Sequence, residues 1–95
     1  MFTRLTPQKV QHRSGYIVQT GSRHSLQYLD GDTTAEIEAD FASVTGIYPD
    51  SMTIRLRNEP KARPASSEEK ALIMERIESA LKFLGEKYEF CKKGL

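Results

Sequence analysis

Residues 34 to 41 alternate polar and apolar side chains without a break, setting Ala35, Ile37, Ala39 and Phe41 against Glu36, Glu38 and Asp40. Period two is the repeat of a β-strand, so this stretch is expected to hide one face and wet the other. Such a strand resists slippage, because a shift of one residue would exchange its two sets of side chains. Neighbours for it are legible on both sides. Tyr16-Ile-Val-Gln-Thr is rich in β-branched and aromatic residues, and the Gly21-Ser22 pair after it suits a two-residue hairpin loop. His24 to Leu29 reads as the returning strand, and Asp30-Gly31 as the next tight turn. After a loop holding Gly46 and Pro49, Met52 to Arg57 alternates again and reads as a fourth strand.

Tight turns at these places predict a register. Ile17 falls opposite Leu26, Leu26 opposite Ala35, and His24 opposite Ile37. Folding the last pair about its loop sets Ile37, Ala39 and Phe41 opposite Leu56, Ile54 and Met52. All of these residues then share one face of an antiparallel meander.

The C-terminal third has a different rhythm. Pro60 and Pro64 make residues 59–65 an extended connector, since neither a helix nor a central strand tolerates them. Ser66-Ser-Glu-Glu fits a capping box with Ser66 as N-cap and Glu69 at N3. Ile73, Ile77, Ala80, Leu81 and Leu84 then recur at helical spacing, which predicts a helix over 66–84 ended by Gly85. Tyr88-Glu-Phe reads as a short final strand. Residues 1–14 fit an edge strand (Phe2 to Leu5, or Lys9 to His12) or a short helix from Thr6-Pro7. The expected fold is α+β, a single domain over 1–95 with a four-stranded antiparallel meander packed against one C-terminal helix.

Several function classes are disfavoured at once. No apolar run approaches the ~18 residues of a membrane span. The N-terminus has no apolar segment followed by a small-residue cleavage site, and the one cysteine, Cys91, has no internal partner. The expectation is a cytoplasmic protein without membrane contact. Asp30-Gly-Asp-Thr-Thr-Ala-Glu faintly resembles a calcium loop, but Ala35 and Phe41 stand where glycine and a bidentate glutamate are needed. No metal or other cofactor is expected. His12 and His24 lack an acid–base motif, Cys91 lacks the histidine and amide partners of a nucleophile, and no phosphate-cradling loop is present. No catalytic residue is therefore assigned, and the chain is not expected to be an enzyme.

Charge is informative in its distribution. The net charge is +1, yet His24 to Ile54 holds no Lys or Arg while carrying Asp30, Asp32, Glu36, Glu38, Asp40 and Asp50. The next positions bring Arg55, Arg57, Lys61 and Arg63 against Glu59. Glu36, Glu38 and Asp40 project from one strand face within ~14 Å and repel one another unless a positive group sits opposite. Two readings stay open. One is a cross-strand ladder, Glu38 to Arg55 and Glu36 to Arg57. The other is an acidic docking face for a basic protein, with Asp30, Asp32 and Tyr28 as rim contacts. Arg55, Arg57, Lys61 and Arg63 form a competing footprint for nucleic acid, with Tyr48 as a stacking group, although a wider basic excess and a recognition motif are missing.

Tyr48-Pro-Asp-Ser-Met-Thr-Ile, Asn58-Glu-Pro, Ser66-Ser-Glu-Glu, Arg76-Ile-Glu-Ser-Ala-Leu-Lys-Phe-Leu-Gly and Tyr88-Glu-Phe follow one another in a familiar order. Over residues 14–91 the chain resembles small bacterial immunity proteins of polymorphic and contact-dependent toxin systems, most nearly the family called Immunity protein 74. Tyr16 to Leu26 fits that family's opening hairpin. The resemblance implies a cytoplasmic antidote in a 1:1 complex with a cognate toxin domain, a nuclease among the candidates. It implies no catalytic residues.

Overall fold

Among the described residues eight strands and one helix form, in place of the expected four-stranded meander with its helix. The computed structural model describes residues 2–6, 9–21, 24–41 and 43–91. The strands are β1 (Phe2–Thr6), β2 (Lys9–His12), β3 (Ile17–Thr20), β4 (Ser25–Asp30), β5 (Thr33–Asp40), β6 (Thr45–Leu56), β7 (Arg63–Pro64) and β8 (Tyr88–Phe90), and α1 spans Ser67–Leu84. β1 to β7 run in sequence order as antiparallel neighbours, and β8 pairs in parallel with β6. The protein is thus mostly β, with a curled mixed sheet.

One inward row shows how the sheet is held. Val10, Val18, Tyr28, Ala35 and Ile54 stand in register across β2 to β6, each at most 2% exposed. Ile73, Met74, Ile77, Ala80 and Leu81 of α1 close the same core. The helix starts as its sequence dictates. Ser66 Oγ accepts the Glu69 N–H, the Glu69 carboxylate accepts the Ser66 N–H, and Gly85 ends the helix at φ 74°.

Three registers differ from expectation. Between β3 and β4, Ile17 pairs with Leu29 instead of Leu26. An odd shift of three turns Val18 inward and leaves Ile17 half-buried. The exchange favours Tyr28, whose ring is buried in register with Val18 while its hydroxyl stays hydrogen-bonded. The hairpin loop expected at Gly21-Ser22 lies partly outside the described residues. Between β4 and β5, the two-residue connection is Gly31-Asp32, so Leu26 meets Ile37 and Tyr28 meets Ala35. That even shift preserves the faces.

The third difference has the largest consequence. β6 begins at Thr45, inside the stretch expected to be loop, and carries a bulge opposite Ile37. The pairs Glu36↔Thr53 and Glu38↔Tyr48 flank it. Pro49 sits in the bulge, where no ladder donor is required. Ser51 repairs the break, its Oγ accepting the Glu38 N–H at 2.8 Å and donating to the Tyr48 carbonyl at 2.6 Å. Phe41, just past the end of β5, and Leu56, in the terminal pair with Thr33, both expected in the core, are 43% and 37% exposed. His24, expected on the apolar face, is exposed.

At the two ends of the chain the open readings resolve. Both β1 and β2 are strands, while the helix start considered at Thr6-Pro7 falls partly outside the described residues and Thr6 belongs to β1. Within the 59–65 connector, Arg63–Pro64 adds a two-residue strand on the free edge of β6, where proline is tolerated. Among the described residues no helix is long and apolar enough to cross a membrane.

Candidate protein-docking face

β5 separates its side chains as the alternation requires. Ala35, Ile37 and Ala39 are fully buried, while Glu36 and Asp40 are exposed and Glu38 is half-buried on the opposite face. The cross-strand ladder does not form. Glu36 stands opposite Thr53 and Glu38 opposite Tyr48, because the β6 bulge displaces Arg55 and Arg57 toward the Thr33 end of β5. Arg55 faces Thr34, and Arg57 makes a 3.5 Å contact with Asp32. Both members of that contact are largely exposed, so it contributes little.

Glu36 and Asp40 therefore have partners other than Arg55 and Arg57. Glu36 has Ser25 Oγ at 3.5 Å and no ion pair among the described residues. Asp40 accepts the Tyr48 hydroxyl at 2.6 Å and lies 3.9 Å from His24. The bond to Asp40, chiefly, pushes the Tyr48 phenol up to about 12, because ionisation would set two negative charges together. Outward side chains of the neighbouring strands extend the face in register, through Gln19, Gln27, Glu36 and Thr53. Gln19 donates its amide to Gln27 at 2.7 Å. Nothing in the composition singled out Gln19 and Gln27; the alternation in β3 and β4 is the only signal for them.

The expected rim is rearranged. Tyr28 is 2% exposed and cannot serve as a surface contact. Its hydroxyl donates to Asp30 at 3.0 Å and accepts from Arg76 at 2.5 Å, and Arg76 also reaches Asp30 at 3.1 Å. Burial is the main cause that holds the Tyr28 phenol above its ordinary value, and the Tyr28 hydrogen bond likewise raises Arg76. Asp30 thus faces the helix, and Asp32 faces Arg57. Arg76 escaped the sequence reading, though its place between Ile73 and Ile77 was a signal, since an arginine beside an apolar stripe can lay its stem along the core.

The competing basic footprint is also divided. Arg63 grips Glu69 with two parallel 2.8 Å hydrogen bonds, which raises the guanidinium and holds the Glu69 carboxyl down to about 2. Arg55 and Lys61 make no ion pair among the described residues. The histidines lie in different surroundings. His12 stacks on Tyr16 with ring centres 4.7 Å apart and meets the Phe2 edge, and desolvation leads the causes that lower its pKa. His24 neighbours Asp40. Cys91 is half-buried, its N–H donating to the Ile47 carbonyl, and the Lys92 and Lys93 that follow it in sequence lie outside the described residues. Among the described residues no three His, Cys, Asp or Glu gather as a metal site. Comparison with protein-family models, curated proteins and solved structures finds no match.

Proposed function

We propose that this chain is a non-catalytic immunity protein that neutralises a cognate bacterial toxin domain by occluding its active cleft. The observation that carries the reading is the outward row Glu36, Glu38 and Asp40, which the β6 bulge separates from Arg55 and Arg57. Carboxylates fixed on a strand whose other face is locked in the core form a preset negative surface. Such a surface speeds encounter with a basic partner and occupies the place of a polyanionic substrate. The toxin as partner comes from the sequence resemblance over residues 14–91, and the sign of the partner's charge comes from the site.

The test uses the toxin domain encoded beside this chain, purified and titrated calorimetrically. The triple variant Glu36→Lys, Glu38→Lys, Asp40→Lys should weaken a 1:1 complex at least ~100-fold, since each reversed contact is worth on the order of 1 kcal/mol or more. Its thermal unfolding should stay near wild type. Unchanged affinity at low salt removes these residues from the interface. Salt-sensitive retention on RNA or DNA, lost with Arg55→Ala and Arg57→Ala, would favour the nucleic-acid reading instead.

A further inference from the structure

On the outer face, bordered by residues 56–62, two hollows adjoin at Thr34 and Arg55, which line both. The smaller, of ≈ 260 Å³, is completed by Gln27, Glu36, Thr53 and Ala62. The larger, of ≈ 440 Å³, adds Leu56 and Pro60 as an apolar wall. Its other charges are partly engaged, because Arg57 is turned to Asp32.

Three charges in this groove, Glu36, Arg55 and Glu59, make no ion pair among the described residues. Arg55 opposes Thr34 and Glu36 opposes Thr53, so the two are diagonal neighbours about 7–8 Å apart at the backbone. Gln27 Oε1 is occupied by Gln19, which leaves its Nε2 to donate into the groove. The lining therefore offers the Glu36 carboxylate beside the Arg55 guanidinium, an amide donor and two threonine hydroxyls, with Glu59 a second carboxylate in the larger hollow. An anionic ligand would meet Glu36 and Glu59, and a cationic one would meet Arg55. A molecule carrying both charges a short distance apart satisfies each.

We propose that this groove binds a free α-amino acid with an aliphatic side chain, its ammonium on Glu36, its carboxylate on Arg55 and its side chain against Leu56 and Pro60. The proposal stands independently of toxin docking, although Glu36 serves both. A ¹H–¹⁵N titration of the whole chain tests it with three near-isosteric probes: L-leucine, L-leucinamide (ammonium only) and 4-methylpentanoate (carboxylate only). L-leucine should give saturable shifts at Thr34, Thr53 and the Gln27 side-chain amide. Each truncated probe should bind about tenfold or more weakly. With Glu36→Gln, L-leucine should bind no better than 4-methylpentanoate, and with Arg55→Gln no better than L-leucinamide. Equal affinity for L-leucine and 4-methylpentanoate overturns the zwitterion assignment, as do shifts that fail to saturate. The probe comparison on the wild-type chain decides the matter even if a variant does not fold.

Discussion

Arg76 lies with its guanidinium carbon 4.7 Å above the centre of the Tyr16 ring while donating to the buried Tyr28 hydroxyl. One side chain of the helix thus engages β4 and the residue that precedes β3, giving the sheet a polar contact that the apolar core does not supply. Replacing it by Arg76→Met keeps much of the stem but strips the Tyr28 hydroxyl of its cationic donor, leaving only its bond to Asp30. The expected loss is about 1.5–3 kcal/mol, the usual worth of a hydrogen bond to a charged group. The Asp30 contact adds little, being partly exposed. A urea midpoint measured with an unchanged slope is the readout, and a loss below ~0.5 kcal/mol would show the contact to be idle.

Ser51 is the second single-residue test. Its Oγ supplies the acceptor for the Glu38 N–H that the bulge takes away from the ladder. Ser51→Ala should cost about 1–3 kcal/mol by stranding that half-buried donor. Hydrogen exchange at the Glu38 amide should accelerate more than at Ala35, whose strand pairing the bulge does not touch.

All four tyrosines are held above the ordinary phenol value of about 10. Tyr48 and Tyr88 reach about 12, chiefly through hydrogen bonds to Asp40 and Glu78. A folded-state pKa above the unfolded one means stability that is intact below pH ~10 and declines as pH rises through the folded value. Spectrophotometric titration should therefore show little phenolate near pH 10 in the folded chain. Asp40→Asn should bring one tyrosine back toward that value, and a titration curve unmoved by this variant would contradict the Tyr48–Asp40 bond.

Glu69 carries the opposite sign. Arg63 first, and the Ser66 N–H second, hold its carboxyl at about 2. A depressed pKa gives stability that is present above the unfolded value near 4.3 and is lost as pH falls toward 2. Thermal midpoints of the wild type should fall across that window, and Glu69→Gln should fall less steeply because its side chain cannot titrate. Parallel curves for the two proteins would separate the helix cap from the acid response.

The parts of the fold legible in the sequence were those where one local rule governs. The β5 alternation needs only period two, and the helix announces itself through Ser66, Glu69 and Gly85. Ile17-Val18 sets a β-branched residue on each face, so local pattern does not say which turns inward, and the β3–β4 connection decides it. Gly46 and Pro49 argue against a strand by propensity, yet Gly46 to Tyr48 pairs with β5 on one side and Thr45 to Ile47 with β8 on the other. The β1–β2 hairpin lacks the glycine-bearing turn that would have announced it. For the candidate face, the outward carboxylates followed directly from alternation. Their separation from Arg55 and Arg57 did not, because a bulge is a property of two strands together.

The parallel pairing of β8 with β6 has a consequence for how the molecule is made. Thr45 to Ile47 are synthesised before α1, but the segment that seals their open side arrives only after the helix has been made and has crossed back over the sheet. A nascent chain therefore carries an unsealed backbone edge until Tyr88–Phe90 has been made, and that segment fastens it like a clasp.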